Sequence, residues 1–258
     1  RSVGATQQGI LGAVLADGET VLENCACEPE IQWLCRYMRS MGAKIQGDGT
    51  SEIRIQGVKS LSAGCIQVPP DRIVSGTYIC AAAVTRSQIV LENPPEGELK
   101  AFLEVYRKMG GQYKGNSGKL LVNGKNVQSP VKLLETGVYP GFPTDLQSPV
   151  MAGLSTIEGE SCIREMVFED RYKAADQLQK MGARIRVQGN EAVICGVKTL
   201  HGAAVQAQEL RGGAALILAA LGAKGVTALE GYSFVQRGYE HICQDLNALG
   251  AAVKRIQE

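Results

Sequence analysis

Four stretches decide how this chain is read: YMRSMGAKI at 37–45, VYRKMGGQY at 105–113, LQKMGARI at 178–185 and LNALGAAV at 246–253. Each joins the end of a helix to a Met-Gly or Leu-Gly step and then to a strand. Glycine just past the last periodic apolar residue is a helix-stop signal. The glycines are Gly42, Gly110, Gly182 and Gly250, so the steps lie 68, 72 and 68 residues apart. A period of about 70 residues marks a repeat protein with a unit larger than the usual solenoid module.

Outward from these steps, the repeats share one order. First comes a helix rich in Ala, Gly and Leu: VGATQQGILGAVLA, DRIVSGTYICAAAV, TDLQSPVMAGLS and ELRGGAALILAAL. A strand follows: ETVLEN, SQIVLEN, ESCIREM and GVTALEG. An amphipathic helix comes next, apolar at spacings of three and four, as in PEIQWLCRYMRSMG and GELKAFLEVYRKMG. Three repeats then continue into a two-stranded element, with GDGT, GNSG and QGNE as tight reversals and Gly57, Gly124 and Gly196 closing the second strand. The first helices are apolar all round and rich in small residues, which predicts a central position with other helices close against them. Half-polar strands predict an outer wall. This α/β arrangement, helices inside and sheets outside, is the reverse of a doubly wound fold.

Residues 70–258 hold three such repeats and are expected to form a second domain with pseudo-threefold symmetry. Residues 1–69 hold one more, expected to be the last repeat of a first, incomplete domain. Its apolar helix face calls for cover from upstream sequence or a complementary chain. The opening RSVGATQQG has no initiator Met and reads as the start of a helix, which suggests a processed, cut or split product.

Composition narrows the function. With 27 Lys and Arg against 26 Asp and Glu, the net charge is +1, which gives no whole-protein case for nucleic acid or an anionic membrane. The longest apolar run, AALILAALGA, is too short to span a bilayer. Eight cysteines without a CxxC pair, and only two histidines, argue against a metal site and fit reduced, packed thiols in a cytoplasmic protein.

Charged groups recur where first-type helices begin. Ser2-Val3-Gly4 offers either a plain N-cap or free N–H groups for a phosphate. Asp71 and Arg72, Asp145 after Pro143-Thr144, and Arg211 in ELR occupy equivalent starts. An acid there is ordinarily a cap. An arginine opposes the helix dipole unless an anion or acid compensates. Arg171 in VFEDR and Arg237 in VQRGYE sit at junctions between a strand and a second-type helix. Singly, each arginine reads as a surface ion-pair residue. Jointly, they suit a small dianion or a carboxylate.

The stretches SVGATQ, ENCACEPEI, MGAKIQGDGTSEIRIQGV, PPDRIVSGTY, FPTDLQSP, VFEDR, ELRGGAALILA and QRGYEHI closely resemble the UDP-N-acetylglucosamine enolpyruvyltransferases (MurA, the 1-carboxyvinyltransferases of peptidoglycan synthesis). The resemblance spans essentially the whole chain. It implies an inside-out α/β barrel of the enolpyruvyltransferase type. It also implies transfer of the enolpyruvyl group of phosphoenolpyruvate to the 3′-hydroxyl of UDP-N-acetylglucosamine, with release of phosphate and no cofactor. On this resemblance Asp145 is the general base, Arg171 and Arg211 hold the phosphoenolpyruvate carboxylate, and Arg237 lies near its phosphate. Ser2, Val3 and Gly4 touch the nucleotide phosphates, and Val167 gives a backbone contact to the sugar. Glu28, Asp71 and Arg72 fall in motifs near the domain boundary. The family's Lys-Asn pair and its loop cysteine have no counterpart in these residues, so little or no activity is expected of the chain alone, and none of the eight cysteines inherits the loop role. The competing reading is a non-catalytic homologue that binds a sugar nucleotide or a protein partner.

Overall fold

All four second-type helices end in the same backbone device. Gly42, Gly110, Gly182 and Gly250 have φ of +100°, +96°, +92° and +96°. The N–H after each glycine reaches back to the carbonyl five residues earlier: Ala43 to Met38, Gly111 to Tyr106, Ala183 to Leu178 and Ala251 to Leu246. This is a Schellman stop, which needs a left-handed residue at the turn and so selects glycine. The second recurrent glycine answers a different demand. A Cβ at Gly57, Gly124 or Gly196 would overlap the carbonyl oxygen of Ala16, Ala82 or Ile157, respectively, so each returning strand crosses the end of its own repeat's first helix too closely for a side chain.

The computed structural model describes residues 1–256; Gln257 and Glu258, the last two of the expected second domain, lie outside the described residues. The chain divides into two units. The first comprises Arg1–Pro69 with Gly137–Phe142. It runs α1 (Val3–Ala13), β1 (Glu19–Glu23), α2 (Pro29–Ser40), β2 (Lys44–Gln46) and β3 (Glu52–Gln56). Its antiparallel sheet has the order β1-β3-β2. Ile31, Cys35 and Met38 of α2 share its core with Ile45, Ile53 and Ile55.

The second unit comprises Pro70–Thr136 and Pro143 onward. It begins with α3 (Arg72–Thr85), β4 (Gln88–Glu92), α4 (Lys100–Lys108), β5 (Gln112–Asn116), β6 (Lys119–Asn123) and β7 (Leu134–Glu135). A 3-10 turn over Thr144–Leu146 leads into α5 (Gln147–Leu154), β8 (Gly159–Arg164), α6 (Lys173–Lys180), β9 (Arg184–Gln188) and β10 (Glu191–Gly196). The last elements are β11 (Ala204–Gln206), α7 (Leu210–Leu221), β12 (Ala228–Glu230), α8 (Tyr232–Gln236) and α9 (Ile242–Ala248).

Helices α3, α5 and α7 pack on one another. All eight residues of α5 are buried, as are Gly212 through Ala219 of α7. Small residues permit this approach: a Cβ at Gly76 of α3 would strike the side chain of Leu146 just before α5, and one at Gly222, where α7 ends, would strike Val84 of α3. Arg86, left-handed at φ +53°, stops α3 and donates to the carbonyls of Ala83 and Thr156, tying the ends of α3 and α5 together.

The expected closed barrel does not form. The strands make four separate sheets, ordered β1-β3-β2, β4-β6-β5, β7-β8-β10-β9 and β11-β12, and none returns to its first strand. Two to four strands are too few: closing a sheet takes about eight to leave an interior just wide enough for side chains. Each sheet stays open. Among the described residues, no helix is long and apolar enough to cross a membrane.

Candidate functional site

Asp145 sits on the 3-10 turn before α5, where its side chain makes no capping bond. Two arginines take it instead. Arg171 Nη2 donates to Oδ1 at 2.5 Å, and Arg211 donates to Oδ2 from Nη2 at 3.1 Å and from Nε at 3.2 Å. The Asp145 side chain is 36% exposed, those of Arg171 and Arg211 20% and 12%. Charge-assisted bonds in so sheltered a place are stronger than surface pairs.

Arg211 opens α7, where the dipole is unfavourable to a cation. Two acids answer that. Glu209 caps the helix, accepting from the N–H groups of Arg211 and Gly212, and Asp145 faces the guanidinium. Burial works against the charge of Arg211, but the Tyr239 oxygen and Asp145 outweigh it and hold its pKa above the usual arginine value. Its third donor, Nη1, reaches Tyr239 Oη at 3.2 Å, and that hydroxyl meets Thr77 Oγ1 of α3 at 2.8 Å. Burial pushes the Tyr239 phenol up despite the opposing effect of Arg211. Arg171 keeps one donor in reserve: its Nε is buried and has no hydrogen-bond partner. Its guanidinium lies 5.3 Å from the Phe168 ring.

The structure thus brings together three of the sequence-selected residues, Asp145, Arg171 and Arg211. Arg237 is not among them; it ends α8 in solvent with no ion pair among the described residues. Asp71 is a cap, its Oδ1 accepting from Ile73 N at 2.6 Å and Val74 N at 3.1 Å, and Arg72 is buried beside it. Val167 has its N–H engaged by Glu165 at 2.9 Å, which leaves its carbonyl. In the first unit, Ser2 caps α1 by accepting from Ala5 N at 3.2 Å, and Val3 and Gly4 form the first turn. Glu28 precedes α2 without capping it; Oε1 accepts from Tyr139 N at 3.5 Å and Oε2 is buried without a partner. Among the described residues, no three His, Cys, Asp or Glu side chains are grouped to hold a metal.

Sequence reasoning missed Tyr239, Thr77, Thr144 and Glu165. Glu165 had a signal. It continues the inward alternation of Ser161 and Ile163 one step past β8, so a strand reading carried to its end places an acid inside.

Comparison with known proteins supplies the context. The sequence profile of EPSP synthase (3-phosphoshikimate 1-carboxyvinyltransferase) matches residues 1–246. The chain is 43% identical over 255 residues to UDP-N-acetylglucosamine 1-carboxyvinyltransferase 2 of Caldanaerobacter subterraneus, covering 99% of this chain and 61% of that protein. It is 44% identical over 259 residues to the UDP-N-acetylglucosamine 1-carboxyvinyltransferase of Orientia tsutsugamushi (strain Ikeda), covering 100% and 61%. The chain therefore spans about three-fifths of the length of these relatives. Among solved structures, the enolpyruvyl transferase NikO from Streptomyces tendae superposes with a TM-score of 0.88 at 26% identity, over 98% of this chain and 60% of that one. EPSP synthase from Acinetobacter baumannii, at 20% identity and a TM-score of 0.74, shares the fold. With the profile matched over nearly its whole length, the chain belongs to the enolpyruvyltransferase family that includes the EPSP synthases and the UDP-N-acetylglucosamine 1-carboxyvinyltransferases.

Proposed function

We propose that these residues belong to an enzyme of peptidoglycan precursor synthesis that transfers the enolpyruvyl group of phosphoenolpyruvate to the 3′-hydroxyl of UDP-N-acetylglucosamine and releases phosphate. The relatives' names support the reaction. The observation that carries it to specific atoms is Asp145 held by Arg171 and Arg211 from two other segments, with Arg171 Nε unused. Two guanidinium groups in a sheltered site suit a carboxylate ligand. In this reading the phosphoenolpyruvate carboxylate takes donors that Asp145 now occupies. Asp145, so released, accepts the proton of the sugar 3′-hydroxyl as the hydroxyl oxygen bonds to C2 of phosphoenolpyruvate, and the electron pair of the broken C2–C3 π bond takes up a proton from solvent at C3. Phosphate then leaves C2 as C3 gives up a proton. Arg171 and Arg211 offset the negative charge at the reacting end.

Ser2, Val3 and Gly4 are assigned to the nucleotide phosphates, Val167 to the sugar through its carbonyl, and Arg237 to the phosphoenolpyruvate phosphate. Glu28, Asp71 and Arg72 support the elements that carry them. Residues 1–69 are read as one repeat of the same kind as the three in 70–258. The 258 residues alone are proposed to turn over slowly or not at all, since the Lys-Asn pair and loop cysteine of the resemblance lie outside them, and a complementary segment or chain is the partner this implies.

Calorimetric titration of the chain with phosphoenolpyruvate tests the assignment. Saturable binding that weakens at least tenfold in Arg171→Ala and Arg211→Ala is expected. Binding that is unchanged in both variants, or absent from the wild type, contradicts it.

A further inference from the structure

Glu165 is 3% exposed, and a buried carboxylate is costly unless its lone pairs are filled. Here four donors bind it, three on one oxygen and one on the other. Oε1 accepts from Thr136 Oγ1 at 2.8 Å, Val167 N at 2.9 Å and Phe168 N at 3.1 Å. Oε2 accepts from Thr144 Oγ1 at 2.9 Å. The Glu165 backbone is itself pinned to the β9–β10 turn, its N–H donating to Asn190 O at 2.8 Å and its carbonyl accepting from Asn190 Nδ2 at 3.1 Å. Thr136 adds a crosslink by accepting from Met166 N at 2.9 Å.

The two oxygens serve different segments. Oε1 shapes the loop that runs through Val167 and Phe168 to Arg171. Oε2 grips Thr144, the neighbour of Asp145. A carboxylate is rigid, so its bite fixes the spacing of these two segments, and with it the approach of Asp145 to Arg171. Glu165 makes no hydrogen bond to either of those side chains; its bonds run to Thr136, Thr144 and the backbone of Val167 and Phe168.

We propose that Glu165, acting through Thr144, is a positioning residue that sets Asp145 against Arg171. The geometry of the clamp is independent of the substrate; its consequence for phosphoenolpyruvate rests on the function proposed above. Thr144 is only partly buried, so its hydroxyl can be removed with little disturbance to packing.

The test is a double-mutant cycle between Asp145→Asn and Arg171→Gln, read as folding stability, in three backgrounds: wild type, Thr144→Val and Thr144→Ser. The same backgrounds, with Asp145 and Arg171 intact, are titrated with phosphoenolpyruvate. The coupling between Asp145 and Arg171 is expected to fall by at least half in Thr144→Val and to return in Thr144→Ser, with phosphoenolpyruvate binding tightened several-fold as Arg171 loses its rival and returned to the wild-type affinity in parallel. A merely structural threonine lowers stability without changing the coupling; an unchanged coupling in Thr144→Val therefore overturns the proposal. Should Thr144→Val not fold, Thr144→Ala removes the same hydroxyl without added bulk and is read identically. If the coupling falls as expected but phosphoenolpyruvate binds no form of the chain, the positioning role stands and the functional reading fails.

Discussion

Asp145 in this structure is a carboxylate already occupied by two cations. That arrangement makes base and ligand rivals for the same donors. Asp145→Asn removes the rival while leaving the turn in place. The variant is expected to bind phosphoenolpyruvate several-fold more tightly than the wild type, although it should be less stable by about 1–3 kcal/mol because Arg171 and Arg211 lose their charged partner. Calorimetry and denaturant melts on one preparation check both halves; weaker binding contradicts the rivalry. At this scale the sequence was partly legible. Acids and arginines at helix starts were visible as a pattern, and the structure joins Asp145, Arg171 and Arg211. Arg237 looked equivalent but ends in solvent, because α8 has only five residues and stops at it. Thr77 and Tyr239 lie 162 residues apart, a separation at which no local pattern announces a hydrogen bond.

Individual elements were more legible, because the devices that make them are local. The Schellman glycines, the Asp71 cap and the two-residue turn Ser117-Gly118, with φ of +47° and +78°, follow from residue chemistry at fixed offsets. What local chemistry does not encode is how many strands each sheet collects, and there the barrel expectation failed. One element contact gives a pH dependence. Arg39 near the end of α2 forms a two-pronged bond with Asp48 in the β2–β3 turn, at 2.7 and 3.0 Å. The Arg39 hydrogen bond holds the Asp48 carboxyl below its usual pKa. A depressed folded-state value stabilises the fold above the unfolded pKa, about 3.9. That stabilisation is lost as pH falls through the lower folded value. The stability gap between wild type and Asp48→Asn should therefore be constant near neutrality and shrink below about pH 4. A gap that widens on acidification would show that Asp48 is not held in its charged form by Arg39.

The chain as a whole is legible as a repeat before it is legible as a site. The period locates α3, α5 and α7, and their mutual packing in the second unit gathers helix starts from different repeats. Asp145 before α5 and Arg211 on α7 meet for that reason, although they are 66 residues apart. Arg171 arrives from the loop between β8 and α6, shaped by Glu165. A repeated scaffold thus converts equivalent positions in sequence into one charged cluster, and the proposed function requires that cluster to take a substrate carboxylate. The most direct measurement is a crystal structure of the chain with phosphoenolpyruvate. The ligand carboxylate is expected about 3 Å from both Arg171 and Arg211, with Asp145 no longer paired to both. A bound ligand that sits elsewhere, while Asp145 keeps both arginines, would contradict the proposed function.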